Sequence, residues 1–205
     1  MKLLLTGFEP FEGETVNPSW EAVRLTPDRI GDVQIVKLAV PVVFGKSIAM
    51  VTQAMERERP DAVLCVGQAG GRSELTPERV AINVDDARIP DNEGNQPIDT
   101  PIVPDGASAY FTTLPVKAMV QSIRAAGVPA SLSNSAGTFV CNHLMYGVLH
   151  ILSNRYPGVQ GGFMHVPYIP GQVTEKPGTP SMSLEDIARG LQAAIETIAE
   201  NIRNI

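Results

Sequence analysis

The chain has 205 residues and a formal net charge of −6, so it lacks the excess of basic residues that nucleic-acid binding requires. Hydrophobic residues make up 43% of the sequence, enough for a substantial core, yet no apolar run approaches the roughly 20 residues of a membrane span. These values predict one globular domain, residues 1–205, that binds neither nucleic acid nor a membrane.

The first element along the chain is an apolar segment, residues 2–6, which we interpret as a strand. A signal peptide needs a longer apolar stretch, whereas here three leucines are followed closely by Glu9 and Glu12. We therefore expect a cytoplasmic protein. In a reducing cytosol its two cysteines, Cys65 and Cys141, would be free thiols.

Short apolar segments alternate with helical periodicity along the rest of the chain. The further predicted strands are residues 33–40, 62–66, 130–133 and 161–166. The predicted helices are residues 20–25, 46–59, 116–126, 141–155 and 183–204, the last with Ser183 as its N-cap. This alternation predicts a single-domain α/β/α sandwich, in which a largely parallel, twisted central sheet is covered on both faces.

Residues 67–115 interrupt the alternation with many turn-forming residues and little helical periodicity. Within them, residues 79–84 have the pattern of a strand. The segment follows the predicted strand 62–66, and ligands in open α/β sheets bind beyond the carboxyl ends of strands. We therefore expect this excursion to contribute to a functional site.

Cys141 stands at the start of a predicted helix, after a glycine-containing turn. A lone cysteine is more often a small buried hydrophobe, which is our interpretation of Cys65 in the middle of a strand. At a helix N-terminus, however, the unpaired N–H groups favour the thiolate, the nucleophilic form. Cys141 is therefore the candidate nucleophile.

Helix geometry selects the histidine that can act as its base. His143 lies about 200° round the helix axis from Cys141, and His150 is rotated by about 180° and displaced by about 13 Å along the axis. We interpret both as helix-surface residues. His165 remains, at the carboxyl end of a predicted strand, where it can come within hydrogen-bond reach of the thiol.

A third group should orient His165 and stabilise its cationic form. Spacing alone leaves several acidic residues of the excursion open as candidates: Glu74, Glu78, Asp85, Asp86, Asp91 and Glu93. We slightly favour Glu78, because it enters the predicted strand 79–84 and is placed more rigidly than the loop aspartates. Arg88 is a further candidate, since a guanidinium near a thiolate lowers its pKa and can face an oxyanion.

Three of the six phenylalanines cluster near the predicted site. Phe8 and Phe11 lie on the loop after the first strand, and Phe139 precedes Cys141 by two residues. These residues either anchor loops in the core or form an apolar slot for a small flat group. The glycine-rich residues 67–71 match neither nucleotide-binding pattern, and no histidines or cysteines have metal-ligand spacing, so we expect no cofactor and no metal.

Taken together, the motifs resemble the pyroglutamyl peptidase I (pyrrolidone-carboxylate peptidase) family of cysteine exopeptidases over nearly the whole chain. The segments that carry the resemblance are LTGFEPF (5–11), NPS (17–19), GQAGGR (67–72), ERVAIN (78–83), DDARIPD (85–91), SAGTFVCN (135–142) and HVP (165–167). The resemblance implies that Cys141 is the nucleophile, His165 the base and Glu78 the residue that orients the histidine.

The resemblance also implies a substrate and a pocket for it. The substrates would be peptides with an N-terminal pyroglutamate, cleaved through a thioester acyl-enzyme by a cytoplasmic homotetramer. The backbone around Gln68 would hydrogen-bond the lactam, and Arg88 would lie close to the reacting centre. The residues implied to contact the ring are Phe8, Phe11, Ile89, Phe139 and Val140.

One position departs from the family pattern, which usually reads Phe-Gly-Gly where this chain has Phe11-Glu12-Gly13. A side chain thus replaces a glycine beside the expected pocket. Two other functions remain as alternatives at this point: a non-catalytic binding protein for small cyclic amides with an inert Cys141, and a phosphorylase-like enzyme, which the missing phosphate clamp disfavours.

Overall fold

Four apolar segments form the parallel centre of a sheet in the computed structural model, which describes residues 1–204. They are β1 (Lys2–Phe8), β3 (Val33–Val40), β4 (Ala62–Gln68) and β8 (Gln160–Val166). Two short antiparallel strands, β2 (Arg29–Ile30) and β5 (Thr76–Pro77), form the edges. The strand order is β2-β3-β1-β4-β8-β5, so the ends of β1, β4 and β8 lie side by side.

Helices cover both faces of this sheet, which confirms the predicted α/β/α architecture. One face carries α1 (Pro18–Leu25), α3 (Val116–Ala125) and α5 (Leu184–Arg203), and the other carries α2 (Lys46–Glu58) and α4 (Val140–Arg155). A short 3₁₀ helix, Pro170–Gln172, follows β8. Within residues 1–204, no helix combines the length and the apolar character that crossing a bilayer requires.

The central strands β1 and β4 are largely apolar because each contributes to two cores. In β4, Leu64 and Val66 pack under α1, α3 and α5, whereas Val63 and Cys65 pack under α2 and α4. A sheet buried on both faces has continuous apolar runs rather than alternation. Cys65 is fully buried, as expected from its place in the middle of a strand.

The prediction of a strand at residues 130–133 is wrong, because this segment forms only isolated bridges. This segment lies beside residues 75–78 and pairs with them only through two isolated bridges, Leu75 to Ala130 and Glu78 to Ser133. The N–H groups of residues 75, 79, 131 and 133 all donate across the gap, but Pro77 has no N–H to contribute. The missing bond interrupts what would otherwise be a continuous parallel ladder.

The predicted strand 79–84 is shorter than expected. It forms β6 (Val80–Ile82), which pairs with β7 (Ala109–Phe111) in a separate two-stranded sheet. This ribbon lies on the same side as α4, and residues 83–108 loop between its strands. The excursion is thereby brought next to the start of α4.

Candidate active site

The start of α4 lies over the carboxyl end of the sheet. A Cβ atom added to Gly67 on β4 would lie 2.9 Å from Cys141 Sγ, so the thiol rests directly on that glycine. Gly67 is the register partner of His165 on the adjacent parallel strand β8. Since neighbouring strands are about 4.8 Å apart, this register brings the candidate nucleophile and the candidate base to the same place.

His165 is held by a buried carboxylate. Its Nδ1 lies 2.7 Å from Oε1 of Glu78, whose side chain is fully buried. An ionised carboxylate only accepts hydrogen bonds, so the imidazole hydrogen is on Nδ1 and Nε2 is left as the proton acceptor. Of the six acidic residues that spacing left open, Glu78 alone contacts His165 within residues 1–204.

Arg72 is a site residue to which the sequence reasoning assigned no role. Its Nη1 donates to Glu78 Oε1 at 2.7 Å, and its Nη2 donates to the Ser135 carbonyl at 3.2 Å. It also hydrogen-bonds Thr76 Oγ1. The only sequence signal was its place inside the motif GQAGGR after β4, a loop that already pointed to a ligand site.

The surroundings of His165 and Glu78 determine their protonation states in the absence of substrate. Burial lowers the pKa of His165, although the Glu78 carboxylate acts in the opposite direction. Burial would raise the pKa of Glu78, but hydrogen bonds from His165, Ser133 and Arg72 keep it below its ordinary value. At neutral pH the imidazole is therefore neutral and the carboxylate is ionised.

The helix N-terminus favours a thiolate at Cys141, whereas burial favours the neutral thiol in the chain without substrate. Burial raises the pKa of the Cys141 thiol to about 12, the Glu78 carboxylate adds to that shift, and the Arg72 guanidinium opposes it. These surroundings favour a neutral thiol beside a neutral imidazole.

Cys141 and His165 line one cavity of about 220 Å³, room for a group of several heavy atoms, since a water takes about 30 Å³ in the liquid. Its other walls are largely apolar and aromatic. Of the predicted pocket residues, the cavity is lined by Phe8, Phe11, Gln68, Phe139 and Val140. Asn17, Val42, Ala69, Arg72, Ala136, Gly137 and Thr138 complete the lining.

Arg88 and Ile89 lie elsewhere. They line an adjoining cavity of about 460 Å³, which shares Phe11, Gln68, Gly137, Thr138 and Phe139 with the first one. Glu12, the departure from the family pattern, lines this second cavity as an exposed residue with a φ of 55°. Arg72 lines the cavity that holds the candidate nucleophile, and its charge acts on the Cys141 thiol, whereas Arg88 lines the adjoining cavity.

The first N–H groups of α4, those of Cys141 and its two neighbours, have no backbone partners. Residues 140–142 precede the first intrahelical donor, His143, whose N–H bonds the Phe139 carbonyl at 3.1 Å. Within residues 1–204 these three amides have no acceptor, and Phe139 provides no side-chain cap. Such amides can stabilise a negative charge that develops beside Cys141.

The surface placement expected for the other two histidines is wrong for His143. Helix α4 is enclosed on most sides, because the excursion covers the face turned away from the sheet, and His143 is 6% exposed. Its Nδ1 lies 2.8 Å from Asp85 Oδ2. His150 is partly exposed and hydrogen-bonds the Tyr110 hydroxyl at 3.0 Å.

Among the described residues, no group of three or more histidine, cysteine, aspartate or glutamate side chains could hold a metal ion. Three of the other acidic candidates have partners of their own, among them Asp85, which faces His143. Asp91 accepts from the backbone of Phe44, and Glu93 pairs with Lys46.

The sequence and the fold both match known proteins over nearly their whole length. The sequence model of the family described as pyroglutamyl peptidase matches residues 1–201. A pyrrolidone-carboxylate peptidase of Clostridium botulinum is 56% identical over 205 residues, which is 100% of this chain and 96% of the relative. Pyrrolidone-carboxylate peptidase 1 of Streptococcus pneumoniae is 60% identical over 200 residues, which is 98% of this chain and 94% of the relative.

Solved structures agree with these relatives. The crystal structure of pyroglutamyl peptidase I from Bacillus amyloliquefaciens superposes with a TM-score of 0.95 at 53% identity and covers 98% of each chain. A mutant pyrrolidone carboxyl peptidase from Pyrococcus furiosus superposes with a TM-score of 0.94 at 43% identity, over 98% of this chain and 99% of that one.

Proposed function

The chain belongs to the pyroglutamyl peptidase family of cysteine peptidases, and from this premise we propose that it releases N-terminal pyroglutamate from peptides through Cys141, His165 and Glu78. The observation that carries the proposal is the 2.7 Å hydrogen bond from His165 to Glu78 at the floor of the cavity that also holds Cys141.

The cavity suits a neutral ring. Pyroglutamate is a closed lactam without an α-ammonium group, so a site for it needs apolar walls and a few hydrogen-bonding groups in place of a carboxylate clamp. Phe8, Phe11 and Phe139 supply the walls. The Gln68 side chain is held by Gln172 at 2.9 Å, which steadies the end of β4 where backbone groups can bind the lactam.

Acylation begins as Cys141 Sγ attacks the carbonyl that follows the ring. The thiol proton passes to His165 Nε2 while the C–S bond forms, and the carbonyl oxygen becomes an oxyanion. The unpaired amides at the start of α4 stabilise this charge, a contribution of about 3 kcal/mol per donor. Glu78 stabilises the imidazolium that results.

Collapse of the tetrahedral intermediate completes the first half of the reaction. His165 returns its proton to the amide nitrogen, the C–N bond breaks, and the shortened peptide leaves with a free amine. A water molecule then attacks the thioester while His165 accepts its proton. The C–S bond breaks, pyroglutamate leaves, and Cys141 regains its proton from His165.

The test is hydrolysis of a chromogenic pyroglutamyl amide, compared with the matching prolyl and glutamyl amides. Selective release from the pyroglutamyl amide, in the absence of phosphate, supports the proposal. Binding of the cyclic amide without turnover would point to the non-catalytic binding protein, and turnover that requires phosphate would point to the phosphorylase-like enzyme.

We also propose that residues 1–205 act as one catalytic domain in a cytoplasmic homotetramer, as the resemblance to bacterial members implies. Exposed apolar side chains that a partner subunit could cover support the assembly, among them Phe111 at 68% exposure and Ile98 at 61%. Light scattering on the purified chain tests it, and a monomeric mass would contradict it.

A further inference from the structure

His143 makes two buried hydrogen bonds that determine its protonation. Its Nε2 accepts from the Gly45 N–H at 2.8 Å, and its Nδ1 faces Asp85 Oδ2 at 2.8 Å. Because a backbone N–H can only donate, Nε2 carries no proton. The ring is therefore neutral, with its hydrogen on Nδ1 directed at the Asp85 carboxylate.

The first of these bonds holds the turn between β3 and α2. Gly45 has a φ of 72° and is the N-cap residue of α2. The preceding amide, that of Phe44, donates to Asp91 Oδ2 at 2.9 Å. Two successive backbone N–H groups are thus held by side chains from other segments, which fixes the position of Phe44.

Phe44 contacts both His143 and Phe139, a residue of the cavity wall. Its ring meets the His143 ring edge-on, with centroids 5.2 Å apart, and meets Phe139 edge-on at 5.5 Å. Phe139 in turn packs against Phe11 at 6.5 Å. Edge-to-face pairs at these distances are favourable and orient the rings, so Phe139 is held from behind by Phe44.

The second bond joins His143 to the excursion. Asp85 pairs with Thr100 through two backbone hydrogen bonds, of 2.8 and 3.0 Å. The next residue, Asp86, exchanges hydrogen bonds with Thr138, which lines the cavity beside Phe139. His143 therefore connects the turn after β3, the excursion and the start of α4, and all three contribute to the cavity or to the support of its wall.

Stability alone does not explain why the buried pair of His143 and Asp85 is present. Asp85 Oδ1 is buried and has no partner within the described residues, which costs free energy. A buried charged group is often no better for stability than an apolar replacement. The geometry instead gives the pair a function that an apolar side chain could not perform, since it fixes a backbone amide and an aromatic ring at once.

We propose that His143 is a positioning residue: through Gly45 and Phe44 it holds Phe139 against the substrate ring, while Asp85 fixes the tautomer of His143. The inference rests on the proposed function. His143 does not line the cavity that holds Cys141, so its effect falls on ring binding, which is common to ground and transition states, rather than on the chemical step.

The matched variants are His143→Phe and His143→Gln. Phenylalanine keeps a ring but makes neither hydrogen bond, whereas glutamine offers both an N–H and a carbonyl oxygen. We expect His143→Phe to raise KM for the pyroglutamyl amide about tenfold, equivalent to about 1.4 kcal/mol, with little change in kcat. Glutamine should restore most of the loss. The control is His150→Gln, on the same helix but outside the cavity, which should leave both constants unchanged.

Phe44→Leu independently tests the proposed series of contacts from His143 through Phe44 to Phe139. This test does not depend on the folding of the His143→Phe variant. Phe44→Leu should raise KM in the same direction, because Phe139 loses the ring behind it. In the double variant the two effects should be less than multiplicative, as expected for residues that act through one contact. Fully multiplicative effects would overturn the route through Phe44.

Three results would overturn the inference: an unchanged KM in His143→Phe, an equal rise in KM in both His143 variants, or a loss confined to kcat. Failure of the proposed function has a different signature, because the wild-type protein would then release no pyroglutamate. Ring binding is also measured without turnover, from the protection of Cys141 against iodoacetamide by 2-pyrrolidone. Protection by 2-pyrrolidone should weaken about tenfold in His143→Phe, and unchanged protection would contradict the inference.

Discussion

Nδ1 of His165 lies 2.7 Å from Oε1 of Glu78, and these two residues are 87 positions apart in the chain. Both side chains are almost fully shielded from solvent, with exposures of 3% and 0%. A hydrogen bond between an imidazole and an ionised carboxylate in such an environment fixes both the ring orientation and the tautomer. The proposed mechanism depends on this contact, and the following predictions test it.

Replacement of Cys141 should remove activity and leave the fold unchanged. Without the sulfur no thioester can form, so we expect Cys141→Ala to lower kcat by at least about 10³-fold. The melting temperature should stay close to that of the wild type. The control is Cys65→Ala, because Cys65 is buried in the core and does not line the cavity, so this variant should retain kcat. An active Cys141→Ala variant would refute the mechanism.

Glu78→Gln should act through the tautomer of His165. A glutamine amide can donate to Nδ1, which would move the ring hydrogen to Nε2 and leave no acceptor for the thiol proton. We expect kcat to fall by about 10²–10⁴-fold while KM changes little. Glu74→Gln, at a nearby acidic position that makes no contact with His165, serves as the control. A variant of Glu78 with normal kcat would show that orientation of the ring does not limit the reaction.

The pH profile of kcat/KM should have its acid limb below the ordinary histidine pKa of 6.5. The neutral form of His165 is the base, and burial lowers its pKa, so activity should persist as the pH falls through 6.5 and disappear only at lower pH. With the pKa of the Cys141 thiol raised to about 12, ionisation of the thiol adds no limb between about pH 7 and 10. An acid limb above 6.5 would contradict this resting state.

Arg72→Gln should lower kcat and shift the acid limb upward. The guanidinium donates to Glu78, and its charge lowers the pKa of His165, so its removal raises that pKa and moves the limb to higher pH. We expect about a tenfold loss of kcat, the value of roughly one charge-assisted hydrogen bond. Arg79→Gln is the matched control. If the limb moves to lower pH, the assigned direction of the Arg72 effect is incorrect.

Local patterns were sufficient to predict most of the elements. The helix Leu184–Arg203 begins after Ser183, whose side chain accepts from the Asp186 N–H at 3.1 Å, and the strand Val33–Val40 has its predicted bounds. Capping and apolar periodicity are properties of neighbouring residues, so they can be read along the chain. Residues 130–133 were mispredicted because their ladder depends on Pro77, which lies more than 50 positions away and cannot donate.

The placement of His143 shows the limit of helix geometry. Its angle round the axis was sufficient to separate it from Cys141, but the angle does not say what covers the other face of the helix. The excursion covers it, and Asp85 and Gly45 supply the partners that make a buried histidine acceptable.

The sequence by itself determined the secondary-structure elements, the candidate nucleophile Cys141 and the elimination of two histidines in favour of His165, because these depend on spacing along one helix or strand. The tertiary structure decided that Glu78 faces His165, that Arg72 contacts Glu78, and that the surroundings of the Cys141 sulfur favour the thiol over the thiolate. Those outcomes depend on which strands are neighbours and on how tightly the excursion closes over α4. Contacts between segments and the exclusion of water arise only when the chain is packed, so no local pattern encodes them.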